Sequence, residues 1–223
     1  MNPEISYLTG LIGGDGNLSE KRISIIDENI EFHQKVIKNL FEKAFGVTPV
    51  ISPMKTVKGK ITYRSRINSK KVFTYFKNDL RIPDKEKTFL MKTPYQVMNS
   101  SIKVRAAYIR GWMDSEGWVT NKTVKKPNKK YTYPKIGFHV ANKTIRDEID
   151  FLLRSMEIKP SCWRYKNMYG LQIIGFEKVN MFMDKIGFMH PDKILKHSAF
   201  LRQNAAYNAQ DNEMQHRKVK PIP

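Results

Sequence analysis

The sequence contains an internal duplication with a period of about 100 residues, and this repeat limits the possible folds more than any other feature. The first copy opens with residues 8–16 (LTGLIGGDG) and the second with residues 109–117 (IRGWMDSEG). Glycines match at positions 10 and 111 and at positions 16 and 117, and acidic residues match at positions 15 and 116. Such a chain is expected to fold into two similar halves.

The residues after each opening segment repeat one order of predicted elements. A strand-like stretch leads to an amphipathic helix, then a hairpin, then a second helix, and each copy ends near the tripeptide Pro-Asp-Lys, at Lys85 and Lys193. Asn142 is a suitable N-cap for the first helix of the second copy. The hairpins are predicted to turn at Lys58-Gly59 and at 167–170. The predicted spans are 30–45, 50–68 and 69–77 in the first copy and 145–156, 161–174 and 176–185 in the second.

This pattern predicts an α+β fold, a mixed αββαββα repeat with one antiparallel four-stranded sheet in each half. The boundary is expected near residues 100–104, which gives an N-terminal half over 1–100 and a C-terminal half over 101–204. Residues 205–223 are polar and basic and are predicted to form a poorly ordered tail.

The two opening segments are predicted to be helices that pack against each other. Small residues at helical spacing allow two helix backbones to approach closely, and this places Asp15 and Glu116 side by side at the helix ends. The two carboxylates would repel each other there, whereas a divalent cation such as Mg²⁺ would stabilise them. A single Asp-Gly pair is an ordinary helix end, but its repetition in both copies favours a metal site.

The net charge of +19 indicates a polyanionic partner, since neutralised phosphates release counterions. Self-repulsion for solubility is the plainer alternative, and no apolar run reaches transmembrane length. The single cysteine, Cys162, excludes a disulfide framework and any zinc site with two thiolates. The five histidines lack metal-ligand spacing on one helix, and no Walker-type glycine loop is present. His190, beside a proline, is interpreted as a capping or packing residue.

The two opening segments resemble the LAGLIDADG motif of homing endonucleases, and the repeat covers nearly the whole chain to about residue 201. Asp15 matches the motif, and Glu116 stands where the family has Asp or Glu. The resemblance implies two halves around a pseudo-twofold axis with the motif helices at their interface. It implies that Asp15 and Glu116 are metal ligands and catalytic residues, assisted by the carbonyls of Gly14 and Ser115. Gly13 replaces the first Asp of the motif, a structural position, so no loss of chemistry is expected.

The resemblance also implies the activity. The expected protein is a monomeric, Mg²⁺-dependent DNA endonuclease that cuts both strands of a long asymmetric duplex target and leaves short 3′ overhangs. Mn²⁺ is expected to substitute for Mg²⁺, and Ca²⁺ is expected to bind without supporting cleavage.

Relatives carry a lysine after the second hairpin of each half, directed at the active site. The repeated tripeptide makes Lys85 and Lys193 the candidates, with Lys87 competing with Lys85, and a surface lysine is the plain alternative. The family also places a polar residue near the metal-side water, and Asp27 and Asn142 lie roughly at that position in the two copies.

The sheets of the family form a saddle over the DNA major groove, so basic and aromatic residues of the strands and hairpins are DNA-binding candidates. Residues 120–135, with Pro127 at the bend, are interpreted as an extended loop between strands that wraps phosphates. The DNA-binding candidates are Arg22, Lys55, Lys58, Lys60, Arg64, Arg66, Lys122, Lys125, Lys126, Lys129, Lys130, Tyr131, Arg164 and Lys166.

Two binding functions on the same fold stay open as alternatives: an RNA maturase that assists splicing of its host intron, and a DNA-binding regulator without cleavage. Retention of both acids favours cleavage. The N-terminal residues resemble neither a signal peptide nor an Arg-rich transit segment, so the protein is expected to act inside the cell, in a prokaryotic cytoplasm or an organelle matrix.

Overall fold

The N-terminal half begins with a motif helix and continues into a sheet with helices on one side. The computed structural model describes residues 1–19, 21–126 and 129–202, without the side chains of 125, 126, 129 and 130. The elements of this half are α1 (Pro3–Gly14), β1 (Gly16–Ser19), β2 (Arg22–Asp27), α2 (Lys38–Phe45), β3 (Val50–Lys55), β4 (Ile61–Ile67), α3 (Lys70–Thr74), α4 (Lys87–Leu90) and α5 (Tyr95–Met98). Two π-helical turns extend these helices, Phe32–Ile37 before α2 and Tyr75–Asp79 after α3.

The C-terminal half repeats this order. Its elements are α6 (Ile102–Ser115), β5 (Gly117–Lys126), β6 (Lys129–Val140), α7 (Lys143–Arg154), β7 (Ser161–Tyr165), β8 (Met168–Ile174) and α8 (Phe176–Lys185). Residues 191–202 are helical as well, and the tail predicted at 205–223 lies outside the described residues. Across the residues that the structure describes, no helix combines the length and the apolar character needed to cross a membrane.

Each half contains one antiparallel four-stranded sheet, and the two sheets have the same topology. The strand orders are β1-β2-β4-β3 and β5-β6-β8-β7. In both sheets the first, second, fourth and third strands along the chain lie side by side in that order. The predicted α+β fold with two similar halves is therefore confirmed.

One face of each sheet packs on the helices, and we call the opposite face the outer face. Alternation along the strands separates the two faces, because successive side chains point to opposite sides. The helix-facing side chains are fully or almost fully buried: Leu18, Ile23, Ile25 and Ile67 in the first sheet, and Ile136, Phe138, Leu171 and Ile173 in the second. Burying each of them stabilises the fold by roughly 1.5–3 kcal/mol relative to an exposed position.

The two motif helices, α1 and α6, pack against each other along their small residues. A Cβ atom added to Gly10 would lie 2.1 Å from the Tyr108 carbonyl oxygen, and one added to Gly111 would lie 2.1 Å from the Tyr7 carbonyl oxygen. Only glycine permits this approach in both directions. The expected helix–helix interface is thus present, with a glycine from each motif at equivalent places.

Polar contacts between the halves also come in equivalent pairs. Asn29 and Asn142 are the N-cap residues that follow β2 and β6, and their side-chain oxygens accept from Phe32 N and Ile145 N. The amide nitrogen of Asn29 donates to the Asp192 carboxylate at 2.8 Å. The amide nitrogen of Asn142 donates to the carbonyls of two residues of the first half, Phe89 and Met91. Each N-cap therefore ties its own half to the opposite one.

Two local expectations are wrong. The second hairpin turns at Lys166-Asn167 rather than over 167–170, since Tyr165 pairs with Met168 and the strand continues through Gly170. Residues 120–126 and 129–135 are not a loop: β5 and β6 pair over ten positions from Gly117 to Lys126. Pro127, expected at the bend, lies outside the described residues. The run of lysines had suggested a solvated loop, but Thr, Val and Tyr residues alternate with them, a pattern that a two-stranded ribbon also satisfies.

Candidate active site

The two acidic residues of the motifs lie together where the packed helices end. Asp15 caps α1 and donates its backbone N–H to the Leu11 carbonyl at 3.1 Å, and Glu116 caps α6 in the same way onto Trp112 at 3.0 Å. A Cβ atom on Gly14 would lie 2.0 Å from Ser115 Oγ and 3.1 Å from Glu116 Cγ. The two helix ends are therefore in direct contact.

The charges at this junction are unfavourable for a protein without a ligand. Partial loss of hydration at the packed helix ends and, second, the neighbouring Glu116 charge together raise the pKa of Asp15 to about 6. Asp15 is exposed on the outer side of the sheet, so solvent screens part of this repulsion. Two carboxylates at the negative ends of two helices are an arrangement that a bound cation stabilises.

A lysine from each half sits on the carbonyl end of a motif helix. Lys193 Nζ donates to the carbonyl oxygens of Met113, Asp114 and Ser115 at 2.7, 2.6 and 3.0 Å. An ammonium group has three N–H donors, and all three are used here. Burial lowers the pKa of Lys193 to about 8 against the opposing effect of the acidic groups around it, first Asp114 and then Asp15.

Lys87 makes similar contacts in the other half, and two of its three acceptors, Ile12 and Gly14, are equivalent to acceptors of Lys193. Its Nζ donates to the carbonyl oxygens of Ile12 at 2.8 Å and Gly14 at 2.5 Å, and also to that of Gly16. Burial lowers its pKa to about 8 as well, opposed by the charges of Asp15 and Glu116.

The placement expected for Lys85 is therefore corrected in favour of Lys87. Lys85 is exposed, and the aspartate before it, Asp84, pairs with Lys77, whereas Asp192 accepts from Asn29. The two Pro-Asp-Lys tripeptides match in letters and not in structure. In the first half two further residues separate the proline from the lysine that reaches the motif helix.

The donors around Asp15 and Glu116 fit a hard divalent cation. They are carboxylate and carbonyl oxygens, the ligands that Mg²⁺ prefers together with water and phosphate. The Gly14 and Ser115 carbonyls already accept from lysines, but a carbonyl oxygen has two lone pairs, so one remains on each. Within the described residues, no group of three or more His, Cys, Asp or Glu side chains could hold a metal ion. Water and phosphate oxygens would have to complete the shell of any ion bound here.

Asp114 and Gly13 stand at the position of the first Asp in the two motifs, and the structure explains why they differ. Asp114 is buried and accepts from Tyr7 Oη at 2.7 Å and from Met189 N at 2.9 Å, and burial raises its pKa. At the equivalent Gly13, a Cβ atom would lie 2.8 Å from the indole ring of Trp112. An aspartate there would displace that ring.

Asp27 and Asn142, the polar residues expected near the chemistry, have different surroundings. Asp27 accepts from His190 Nε2, at 3.2 Å to each oxygen, and from Asn29 N. Burial alone would raise the pKa of Asp27, but these hydrogen bonds outweigh it and hold the pKa below its usual value. The Asn142 side chain is fully engaged in its N-cap and in the contacts to the opposite half.

His190 packs its ring on Phe32, with 4.5 Å between the ring centroids. Its Nδ1 accepts from Asp192 N at the start of the helical residues 191–202. These contacts match the expected capping and packing role.

On the outer face of the first sheet, a groove begins at Asp15. It has a volume of about 180 Å³ and is lined by Asp15, Asn17, Ser19, Arg22, Ser24, Ile26, Arg64 and Arg66. The structure thus brings the predicted DNA-binding residues Arg22, Arg64 and Arg66 onto the face that carries Asp15. Arg64 Nε is buried and has no hydrogen-bond partner within the part of the chain that the structure describes.

The other predicted DNA-binding residues fall into three groups. Lys122 and Tyr131 lie on the outer face of the β5–β6 ribbon by register. Lys58, Lys60 and Lys166 lie at the hairpin turns, where Lys60 pairs with Glu28. The side chains of Lys125, Lys126, Lys129 and Lys130 lie outside the described residues.

Two further DNA-binding candidates, Arg164 on β7 and Lys55 at the end of β3, lie by register on the helix-facing side of their sheets. Arg164 pairs with Tyr169 and stacks on its ring, at 5.4 Å from the centroid, on the helix-facing side of the sheet. Lys55 pairs with Ile61, and strand alternation places this pair on the helix-facing side of the first sheet. Trp118 and Trp163 are not among the DNA-binding candidates from the sequence, although strand alternation alone places both on the outer face.

The chain is similar in sequence to a known family. The family model described as "LAGLIDADG-like domain" matches residues 103–187. The homing endonuclease I-DmoI of Desulfurococcus mucosus is 25% identical over 194 residues, which cover 83% of this chain and 84% of that protein.

A second relative is similar over most of this chain but not over most of its own. The glutamine–fructose-6-phosphate aminotransferase (isomerizing) of Methanocaldococcus jannaschii is 28% identical over 216 residues, or 92% of this chain. The chain spans only 18% of the length of that protein.

Solved structures share the fold. I-DmoI in complex with DNA and Ca superposes with a TM-score of 0.58 at 19% identity, over 87% of this chain and 97% of that one. I-WcaI bound to its DNA recognition sequence superposes with a TM-score of 0.58 at 17% identity, over 87% and 85%. Other I-DmoI structures are complexes with DNA in the presence of Mn or Mg. At such identities the likeness establishes the fold, and the chemistry has to be derived from the site.

Proposed function

We infer that this chain, which belongs to the LAGLIDADG family as a two-motif member, is a homing endonuclease that cuts both strands of duplex DNA at a specific site. We propose a monomer that uses a divalent metal ion at a long asymmetric target and leaves short 3′ overhangs. Two unlike halves in one chain support an asymmetric target, because no symmetry operator requires a palindrome.

A single observation carries this proposal. Asp15 and Glu116 meet at the ends of two helices that are pressed together through Gly10 and Gly111, and burial with like-charge repulsion raises the pKa of Asp15. Apolar packing gives no reason for two acids at this point. A catalytic metal centre facing a basic DNA groove gives one.

In this proposal the residues of the site have separate roles. Asp15 and Glu116, with the Gly14 and Ser115 carbonyls, would hold divalent cations, and such cations stabilise the attacking and leaving oxygens of an in-line displacement at phosphorus. Mg²⁺ is the proposed ion, with Mn²⁺ as a substitute and Ca²⁺ as a non-catalytic ligand.

Lys87 and Lys193 would each act beside one of the two cleaved phosphates. Their pKa values of about 8 leave both ammonium groups largely protonated at neutral pH and able to release a proton slightly above it. Each can therefore stabilise negative charge on the phosphate through its own positive charge, and it could transfer a proton to the leaving oxygen only after one of its three hydrogen bonds to carbonyl oxygens breaks. Since each lysine is held by three carbonyls, its position is fixed before DNA arrives.

DNA would be bound by the outer faces of the two sheets, with Arg22, Arg64 and Arg66 in the groove that begins at Asp15. Lysines along the β5–β6 ribbon would supply affinity through phosphates rather than sequence recognition. The net charge of +19 supports a strong dependence of binding on salt.

The test is cleavage of a pool of long random duplexes, with strand-resolved sequencing of the new ends. We expect recurrent staggered cuts at one long motif with Mg²⁺ and none with Ca²⁺ or without a divalent ion. The Glu116→Gln variant should abolish the cuts while still binding the recovered duplex. Glu177→Gln, which changes an exposed acid on α8, is the matched control and should cut like the wild type.

An RNA maturase on the same fold is the second candidate function. Its observation is the same basic surface, but two paired acids have no role in splicing assistance. If wild-type protein made no cuts in duplex pools and bound structured intron RNA tightly, the endonuclease proposal would be wrong.

The aminotransferase reaction is not proposed for this chain, which spans 18% of that relative. A reducing intracellular compartment at the site of synthesis is proposed from the single free cysteine, Cys162.

A further inference from the structure

The outer faces of the two sheets can be compared position by position, because their strands pair in the same register. The residue after each catalytic acid fixes the alignment: Gly16 lies opposite Ile25, and Gly117 lies opposite Phe138. Counting from these pairs gives each outer-face position of the first sheet an equivalent in the second.

The arginines of the first sheet have no counterpart in the second. Arg66 is equivalent to Gln172, and Arg64 is equivalent to Gly170. Guanidinium groups provide paired donors for guanine, so the first sheet presents a donor-rich surface. The second sheet removes this surface at the same two places.

Trp118 stands at the first outer-face position after Glu116, where the first half has Asn17. It pairs with Gly137, and a Cβ atom added to that glycine would lie 2.8 Å from the Trp118 ring. The indole therefore lies across the glycine, flat on the sheet. Lys135 Nζ is 5.0 Å from the ring centroid and restricts it further.

Trp163 repeats this arrangement on the neighbouring pair of strands. It pairs with Gly170, and a Cβ atom on that glycine would lie 2.0 Å from the Trp163 ring. His139 flanks the same glycine from the other side, with 6.2 Å between the two ring centroids. Two glycines of the second sheet are thus covered by two tryptophans.

Both indoles remain partly open to solvent on the outer face. Aromatic rings that lie over a glycine of a neighbouring strand also stabilise the sheet, but this role does not use the ring surface that stays open to solvent. Two rings that lie over glycines and stay partly open on the outer face leave an apolar surface available to the edge of a base pair. In the major groove, the only apolar group that a base pair presents is the 5-methyl group of thymine.

We propose that the second half reads thymine through contacts of Trp118 and Trp163 with 5-methyl groups, whereas the first half reads guanine through Arg64 and Arg66. This inference rests on the proposed endonuclease function. The target is then asymmetric in base chemistry as well as in sequence. Thymines are required in the half-site beside Glu116, and guanines in the half-site beside Arg66.

The test replaces thymine by deoxyuridine, one position at a time, in the duplex recovered from the random pool. This change removes the methyl group and leaves base pairing and the protein intact, so folding does not enter. Binding is measured without divalent ions, and the single-turnover cutting rate is measured with Mg²⁺. Loss of a buried methyl group should weaken binding about fourfold at each contacted thymine, and uracil in the other half-site should have no effect.

The protein side of the same test uses Trp118→Ala and Trp163→Ala, with Phe151→Ala as the matched control. Phe151 is an exposed aromatic residue on α7, away from the outer face. In each tryptophan variant, replacing thymine by deoxyuridine should no longer weaken binding at the position which that ring contacts. In the control it should weaken binding as it does in the wild type. Trp118→Phe should retain most of it, because the apolar surface is kept.

The outcomes separate the two levels of the proposal. If no duplex is cut, the endonuclease function itself is wrong. If a site is cut but uracil is tolerated throughout the half-site beside Glu116, this inference alone is overturned. Tighter binding to single-stranded pyrimidine tracts than to the duplex, with or without methyl groups, would also overturn it, since the rings would then stack on unpaired bases.

Discussion

The two halves of the molecule are nearly identical in their catalytic elements and differ in the surface that would meet the bases. Lys87 and Lys193 each donate to three carbonyls at or just after the end of a motif helix, and two of the three acceptors are at equivalent positions. The outer faces carry arginines on one side and tryptophans on the other. Under the proposed function, the chemistry that would act on two identical phosphates is thus duplicated, whereas the recognition of two different half-sites is not.

The halves also differ at one position next to the chemistry. Asp27 ends β2 in the first half and is held by His190 of the second, whereas Val140 occupies the equivalent place at the end of β6. The two proposed phosphate sites are therefore similar in charge near the lysines and different at this position. The predictions below separate what the halves share from what they do not, in order of decreasing effect.

The largest effect is expected from either motif carboxylate. Asp15→Asn and Glu116→Gln should each slow cutting by roughly 1,000-fold or more, equivalent to about 4 kcal/mol in the barrier. Duplex binding without divalent ions should be unchanged or tighter, because a negative charge facing the DNA is removed. If one variant kept wild-type cutting of both strands, the shared metal centre would be contradicted.

The next effect concerns the two lysines, and it is measured as the cutting rate of each DNA strand separately. Lys87→Met and Lys193→Met should each slow cutting of a different strand by roughly 100-fold and leave nicked product. Lys85→Met is the matched control and should cut as the wild type does, since Lys85 is exposed. Loss of activity in Lys85→Met together with retention in Lys87→Met would reverse the assignment.

A smaller effect is expected when one recognition residue is exchanged for its equivalent. Arg66→Gln gives the first sheet the residue that Gln172 provides in the second. The preferred base at one position should change from guanine toward adenine, with a loss of about 1–3 kcal/mol on the original site. Target profiles of wild type and variant measure this, and an unchanged profile would remove Arg66 from base recognition.

The smallest effect is on stability and follows from the raised pKa of Asp15. The folded state holds this proton more tightly, since the folded pKa is about 6 and the ordinary value is 3.8. Wild-type stability therefore decreases, relative to Asp15→Asn, as pH rises through that window, and the deficit is complete above pH 6. Solvent screening at this exposed residue reduces the effect to roughly 1 kcal/mol, and urea unfolding at pH 4 and pH 7 measures it. A variant less stable than wild type at pH 7 would contradict the repulsion.

Repeated patterns in the sequence were sufficient to predict the architecture and the acids. The glycine registry of the two motifs gave the helix pair, and the position after each motif gave Asp15 and Glu116. The lysine of the first half was misplaced because a tripeptide was matched by letters, whereas the three-dimensional equivalence depends on two extra residues before α4. The helix-facing positions of Arg164 and Lys55 could not be predicted, because a one-residue difference in register reverses every side chain of a strand.

Other features depend on contacts that no local pattern shows. The hydrogen bond from His190 to Asp27 joins residues 163 positions apart, and the approach of Trp112 to Gly13 requires both helices to be in place. The lysine-rich stretch was assigned to a loop because its composition is polar, although its alternation also fits the long β5–β6 ribbon.

The most direct test of the central claim is the time course of a supercoiled plasmid that carries the recovered target, incubated with Mg²⁺ and excess protein. Two equivalent centres in one chain predict that the wild type converts supercoiled plasmid to linear DNA with little accumulation of nicked circles. Glu116→Gln should leave the plasmid supercoiled under the same conditions. A wild-type reaction that stops at nicked circles, or that matches Glu116→Gln, would contradict a duplicated centre built on Asp15, Glu116 and their two lysines.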